Sequence, residues 1–150
     1  MSPLTIRPAR ADEYDAVADV WMRGWLSVGI ETPNDWLLKA LSERIPKEVE
    51  NGWSLYVADD AGRVAAMLAF RLRDGHLDQL FIAPEYQSKG LGKRLLNFTR
   101  EHLPDEIWLR CVRENERAWR WYEREGFVFE KEQVDPASGF AMRYYRWRRG

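Results

Sequence analysis

Two glycines, at positions 90 and 92, stand where an apolar strand pattern changes into a helical pattern, and this segment offers the clearest chemistry in the sequence. The strand ends near Ile82, and the segment Gln87-Ser88-Lys89-Gly90-Leu91-Gly92 opens the helix. Glycine in a helix costs about 1 kcal/mol relative to alanine, so two of them indicate that another group approaches the backbone closely. Because a helix N-terminus carries unpaired N–H donors and roughly half a positive charge, the expected group is a phosphate or a pyrophosphate.

Three basic residues, Lys89, Lys93 and Arg94, add positive charge at the same helix end. Two common phosphate motifs do not fit this segment. The dinucleotide motif G-x-G-x-x-G requires a third glycine where Leu95 stands, and the P-loop requires Ser or Thr where Arg94 stands. From these residues alone, a tight strand-to-helix turn that uses glycine for its own geometry stays an alternative.

A second segment with candidate chemistry covers residues 115–127. Asn115 can cap a helix with its side-chain oxygen. Tyr122 lies on that helix, and a phenol with a pKa near 10 can donate a proton without being ionised at neutral pH. Its spacing from Ala118 and Trp121 also fits an apolar helix stripe, so spacing alone favours a packing role for Tyr122.

The two segments together resemble the GNAT superfamily of N-acetyltransferases. Gln87-x-x-Gly90-x-Gly92 after an apolar strand is similar to the acyl-CoA pyrophosphate motif of that family. Residues 115–127 are similar to its later motif, in which an asparagine opens a helix, a tyrosine lies on it and Gly-Phe follows. The resemblance covers the whole chain and is strongest from about residue 77 to residue 127.

The resemblance implies a transferase that moves an acetyl group from acetyl-CoA to a primary amine of a small molecule or peptide, by direct attack in a ternary complex. It implies that Tyr122 protonates the departing thiolate. A non-catalytic acyl-CoA-binding module of the same fold is the alternative. The implied cofactor-binding residues are Phe81, Ile82, Gln87, Ser88, Lys89, Gly90, Leu91, Gly92, Lys93 and Asn115.

The group that takes a proton from the amine is less well defined. An amine with a pKa near 10.4 is mostly protonated at neutral pH and must lose a proton before it attacks. Asp78 is the catalytic candidate, with His76 and Glu31 as other possibilities and a water relay as a further one. On a regular strand His76, Asp78 and Leu80 share one face.

The acceptor site is expected near the first two helices, with Trp25 and Glu31 as candidate substrate-binding residues. An aromatic ring and a carboxylate suggest a cationic, partly apolar acceptor. The single cysteine, Cys111, has no adjacent base and is expected to be a buried structural thiol.

The composition fits a single domain spanning residues 1–150, with 45% hydrophobic and 31% charged residues. A net charge of −1 provides no basic surface for nucleic acid, and no apolar run reaches the roughly 18 residues of a membrane helix. One cysteine allows no intrachain disulfide, so a cytoplasmic location is expected. Two widely separated histidines match no zinc spacing, so no metal is expected. The aromatic-rich ends could bury a homodimer interface.

The elements that must position these residues follow the order β-α-α-β-β-β-α-β-α-β-β. This order predicts a mixed α/β (α+β) fold with a mostly antiparallel sheet, splayed where a βαβ unit makes one parallel pair. Asp12 is the predicted cap of the first helix, Pro46 is predicted to kink or break the second, and Asp74-Gly75 predicts a two-residue hairpin. The predicted strands cover residues 4–9, 53–58, 63–73, 76–82, 106–112, 127–134 and 140–147, and the predicted helices cover residues 12–28, 35–49, 90–103 and 115–125.

Overall fold

The computed structural model describes residues 4–30, 37–103 and 105–150, and these residues form seven β-strands and four α-helices. The element order and the mixed α/β class are those predicted from the sequence. The strands are β1 (Thr5–Pro8), β2 (Ser54–Asp60), β3 (Arg63–Arg71), β4 (His76–Ile82), β5 (Glu106–Val112), β6 (Val128–Val134) and β7 (Ala141–Arg148), and the helices are α1 (Tyr14–Leu26), α2 (Leu37–Glu50), α3 (Leu91–His102) and α4 (Glu116–Arg124).

The strands form one sheet in the order β1-β2-β3-β4-β5-β7-β6. Every neighbouring pair is antiparallel except β4 and β5, which are parallel because helix α3 crosses over between them. Their register contains a single position, His76 opposite Trp108. Beyond it the two strands diverge, which confirms the predicted splay.

Two hydrophobic cores cover the two faces of the sheet. On one face α3 contributes Leu95 and Leu96, which pack with Tyr145 of β7. On the other face α1 and α2 contribute Val17 and Ile45. The middle of β3 is buried against both cores, and full burial of a leucine or valine contributes about 1.5–3 kcal/mol.

The predicted cap of α1 is wrong, and of the two outcomes predicted at Pro46, a kink or a break, the structure excludes the break. Asp12 does not cap α1, because a 3₁₀ turn precedes the helix and Glu13 occupies the cap position. The Glu13 carboxylate accepts the Arg10 N–H at 2.7 Å and pairs with Arg7 at 2.7 Å. Pro46 does not break α2, which continues to Glu50. The buried side chain of Ile45 holds the helix against the core where proline removes one hydrogen bond.

The hairpin between β3 and β4 is longer than predicted. Arg71 lies opposite His76, so four residues form the loop, and Gly75 has a φ of +65°. One extra residue on β4, Asp78, then breaks the alternation of side chains, since Phe70 lies opposite Leu77 and Ala69 opposite Gln79. As a result Leu77 and Leu80 enter the same core, and the predicted shared face of Asp78 and Leu80 is wrong.

Helix α1 lies unusually close to β4 at Gly24. A Cβ atom built at Gly24 would be 3.0 Å from both Cβ and Cδ1 of Phe81 and 3.4 Å from the Ile82 carbonyl oxygen. These atoms belong to the end of β4 or lie next to its backbone, so they cannot move away cheaply. The absence of a side chain at Gly24 therefore sets the distance between α1 and the splayed end of β4.

We expect Gly24→Ala to lower the free energy of unfolding by about 1–2 kcal/mol, because the clash outweighs the roughly 1 kcal/mol of helix propensity that alanine adds. Urea unfolding followed by circular dichroism measures the change. Ala16→Gly, at an exposed position of the same helix, measures propensity alone. A Gly24→Ala protein more stable than the parent would show that α1 can shift freely from β4.

Candidate active site

The divergence of β4 and β5 opens a cleft with a volume of about 590 Å³. One wall is the last turns of α1, the floor is the end of β4, and the opposite wall is α4. The segment before α3 closes one end. Its lining residues are Gly24, Ser27, Val28, Leu80, Phe81, Ile82, Gln87, Ser88, Gly90, Gly92, Lys93, Glu114, Asn115, Glu116, Arg117, Ala118, Trp121, Tyr122 and Arg124.

The segment before α3 presents main-chain donors that have no acceptor among the described residues. In the described part of the chain, the amides of Ser88, Gly90, Leu91, Gly92 and Lys93 donate no hydrogen bond. The first amides of any helix lack an intrahelical acceptor, and here the preceding loop extends the set. Five donors beside the cleft form a surface that suits an anion.

The backbone of this segment is held in a costly conformation. Ser88 has a φ of +63° and Gly90 a φ of +80°, both in the left-handed region. A Cβ atom at Gly90 would meet nothing within 4 Å, so glycine is not required there by close packing. Its role is to adopt the left-handed conformation. Gly92 differs, because its φ is not positive and an added Cβ would make only ordinary contacts, 3.5 Å from Ile82 and Trp121. The fold itself does not require glycine at position 92.

Side-chain contacts anchor the segment to the rest of the fold. Glu85 accepts from Arg23 of α1 at 2.9 Å and from Arg63 at 3.2 Å, and the Arg23 hydrogen bond holds the pKa of the Glu85 carboxyl below its usual value. The side-chain amide of Gln87 donates from Nε2 to the main-chain carbonyl oxygen of Ile82 at 3.0 Å. The anion-binding surface is therefore tied to both α1 and β4.

Asn115 begins the α4 wall of the cleft. Its side-chain oxygen accepts from the Ala118 amide at 3.4 Å, as the predicted helix cap requires. Among the described residues, its side-chain NH₂ group has no acceptor, and Asn115 lines the cleft. Capping and ligand binding can therefore coexist.

Tyr122 lies on the same wall and is only 8% exposed. Its ring packs edge-on against Phe127, with 5.4 Å between ring centroids. Burial raises the pKa of the Tyr122 phenol well above its ordinary value of 10, and Cys111 raises it further. Its hydroxyl makes no hydrogen bond within the described residues. The cleft thus contains a phenol that stays protonated at neutral and alkaline pH.

The buried Cys111 beside Tyr122 is also kept neutral. Burial raises the pKa of the Cys111 thiol to about 12, and nearby Arg143 offsets only part of this rise. A thiol that stays protonated at neutral pH is a poor nucleophile. This agrees with the structural role expected from the sequence.

The structure does not bring Asp78 into the cleft. Asp78 accepts from the Trp53 indole at 2.7 Å and lies 3.8 Å from the Arg71 guanidinium, near the start of β4. His76 is at the same end, stacked on Trp108 with 3.7 Å between centroids, and burial lowers its pKa. The β-bulge aims Asp78 at the α2 side of the sheet, whereas the cleft opens at the other end of β4.

Three further candidates lie apart from the cleft lining, and a fourth cannot be placed. The Leu91 side chain is buried in the core, and the Lys89 ammonium lies 6.0 Å from the centroid of the Tyr86 ring. Trp25 packs edge-on against Phe140 with 6.0 Å between centroids, which joins α1 to the β6–β7 loop. Glu31 lies outside the described residues.

Sequence reasoning missed two groups of lining residues. Arg117, Trp121 and Arg124 recur every three or four residues on α4, so helical spacing could have revealed that they share one face. Gly24 and Val28 of the α1 wall left no comparable signal, because their place depends on how α1 packs on β4.

Neither a membrane span nor a metal-binding cluster occurs in the described part of the chain. None of the helices formed by residues 4–30, 37–103 and 105–150 is both long enough and apolar enough to cross a membrane. The same residues contain no group of three or more histidine, cysteine, aspartate or glutamate side chains that could hold a metal ion.

Comparison with known proteins identifies a family to which the residues that line this cleft can be matched. The model of the Acetyltransferase (GNAT) family matches residues 15–127. A probable N-acetyltransferase of Mycobacterium tuberculosis is 27% identical over 143 residues, which cover 84% of this chain and 80% of that protein. The spermine/spermidine N(1)-acetyltransferase of Bacillus subtilis is 41% identical over 61 residues, which cover 37% of this chain and 40% of that enzyme.

Solved structures share the fold. The crystal structure of the PaiA N-acetyltransferase from Thermoplasma acidophilum in complex with coenzyme A superposes with a TM-score of 0.75 at 20% identity, over 99% of this chain and 100% of that one. The family match spans more than half of this chain and includes every segment that lines the cleft. The chain therefore belongs to the GNAT family of acetyltransferases.

Proposed function

We propose that this protein transfers an acetyl group from acetyl-CoA to a primary amine, by direct attack while both substrates are bound. The observation that carries the proposal is the combination, in one cleft, of the amides of Ser88 and residues 90–93, which have no acceptor among the described residues, with the buried phenol of Tyr122. The amides suit a pyrophosphate and the phenol suits a leaving thiolate.

Different parts of the cleft suit the pyrophosphate and the pantetheine arm of coenzyme A. The amides around Gly90 and Gly92 would hold the pyrophosphate. Between them and Tyr122, the β5-facing edge of β4 beyond His76 has no strand partner in the described residues. Main-chain groups at Ile82 can pair with the amides of the pantetheine arm in the manner of an added strand, whereas those of Phe81 are directed to β3. Asn115 faces this edge across the cleft.

Acetyl-CoA supplies an acetyl group activated as a thioester. Tyr122 would hold a proton at the inner end of the cleft and donate it to the sulfur as the amine replaces it. Because burial keeps the Tyr122 pKa above 10, the phenol carries this proton throughout the range in which a thiolate of pKa near 8.5 can form.

The acceptor amine is proposed to enter from the α1 side, opposite the anion-binding surface. Trp25 and Phe140 meet there, and the aromatic surface suits an aliphatic or partly apolar amine. Relatives that act on spermine and spermidine support a cationic acceptor, for which Glu31 is a proposed contact. Since Asp78 lies outside the cleft, we propose a water relay for the amine proton.

A thiol-release assay with acetyl-CoA tests the function directly. We expect free CoA to appear only when an amine is present, in a panel of spermidine, spermine, amino acids, aminoglycosides and peptides with free N-termini. Acetyl-CoA at about 100 times its Kd should also stabilise the fold by about 2.7 kcal/mol. Stabilisation without thiol release for any amine would favour a non-catalytic acyl-CoA-binding module, and absence of both would contradict the proposal.

We expect Gly92→Ala to have opposite effects on stability and on binding. Without ligand the fold should be as stable as the parent or more stable by up to about 1 kcal/mol, because the methyl group fits at 3.5 Å from its neighbours. Its affinity for CoA should fall about tenfold, since the methyl group occupies the approach to the amides. Thermal unfolding and titration calorimetry measure the two quantities. Unchanged CoA affinity would remove residue 92 from the binding surface.

We expect Tyr122→Phe to lower kcat by about 10²-fold or more and to leave the Kd of acetyl-CoA within about twofold, because only the proton donor is removed. Steady-state kinetics and calorimetry measure the two parameters. Tyr144→Phe, on the face of the sheet away from α4, serves as a matched control and should keep full activity. Normal turnover by the Tyr122 variant would exclude the proposed role.

The raised pKa of Tyr122 predicts the shape of the pH profile. An acid catalyst is active below its pKa, so Tyr122 should cause no loss of rate up to about pH 10, while kcat/KM rises with pH as the amine deprotonates. Initial rates between pH 6 and pH 10 measure this profile. A decline with a midpoint near pH 8 that disappears in Tyr122→Phe would show that the phenol ionises early and would contradict this assignment.

A further inference from the structure

Three cationic side chains line the cleft, and they differ in their partners. Lys93 pairs with Glu125 at 2.7 Å, and Arg117 donates to the Ser88 hydroxyl at 3.4 Å. Arg124 is exposed and, within the described residues, has neither an acidic partner nor a hydrogen-bond acceptor. A cation that lines a ligand cleft without a protein partner is available to an anionic part of the ligand.

The position of Arg124 shows which part of the ligand it can reach. It lies in the last turn of α4, and the Lys93–Glu125 pair fixes this turn beside the first turn of α3. Arg124 is nine residues beyond Asn115, which begins the α4 wall at the inner part of the cleft, so it lies about 13 Å farther along the helix. It is therefore at the end of the cleft that lies next to the first turn of α3.

Coenzyme A carries two separate anionic groups, a pyrophosphate and a 3′-phosphate on the ribose next to it. The amides around Gly90 and Gly92 account for the pyrophosphate. We propose that Arg124 binds the 3′-phosphate and so makes the protein prefer CoA over 3′-dephospho-CoA. The inference rests on the proposed function and adds a specificity-determining residue to it.

The geometry supports this pairing in two ways. Trp121, one turn before Arg124, would lie 3.5 Å from a Cβ atom added at Gly92. Helix α4 therefore runs next to the amides that are proposed to hold the pyrophosphate. A planar guanidinium also matches phosphate oxygens with two parallel hydrogen bonds. Arg124 can in addition interact favourably with the C-terminus of α4, which is a role in stability.

Titration calorimetry with CoA and with 3′-dephospho-CoA separates the two roles. We expect the parent protein to bind CoA about tenfold more tightly than 3′-dephospho-CoA, which corresponds to one charge-assisted contact. Arg124→Met should reduce this ratio to about twofold or less and leave the affinity for 3′-dephospho-CoA unchanged. Arg124→Lys should restore part of the preference, and raising the salt concentration should weaken it.

Arg120→Met is the matched control, since Arg120 lies on the same helix, pairs with Glu116 and does not line the cleft. It should keep the tenfold ratio. Equal binding of the two ligands by the parent, or an unchanged ratio in Arg124→Met, would overturn the role of Arg124 while leaving the proposed function intact. Failure of both ligands to bind the parent would overturn both proposals.

Discussion

The separation of β4 from β5 is the constraint on which the site depends. The two strands share one register position and then diverge, so a seven-stranded sheet contains a gap instead of a continuous core. A gap of this kind leaves strand edges without partners, which is costly in a protein interior unless water or a ligand satisfies them. The helices on both faces keep the gap open, with α1 close to β4 at Gly24 and α4 forming the opposite wall.

The backbone conformation of the anion-binding segment is also energetically costly, and contacts with the rest of the fold maintain it. Two left-handed residues and a row of unpaired amides would not persist in an isolated loop. Here Glu85 is bound to Arg23 and Arg63, and Gln87 is bound to the carbonyl of Ile82. The donors are therefore arranged before a ligand arrives, which reduces the entropy lost on binding.

Burial controls the protonation states inside the cleft. The phenol of Tyr122 and the thiol of Cys111 both lose the solvation that their anions would need, and both stay neutral. Charge is kept at the rim, where Lys93, Arg117 and Arg124 can interact with an anionic ligand. The cleft thus combines a neutral, proton-carrying interior with charged side chains at its entrance, where Glu114 and Glu116 lie beside the three cations.

The sequence by itself determined the order of the elements and the strand-to-helix turn at residues 87–92, because periodicity, glycine spacing and helix capping act within a few residues of one another. It also led to Tyr122, but only through the resemblance of its motif. It could not place Asp78, because one bulge residue in β4 and a hydrogen bond from Trp53 turn that carboxylate away from the cleft. Only the tertiary structure decided the α1 wall at Gly24 and the absence of a partner for Arg124 among the described residues, since both depend on distances between elements far apart in the chain.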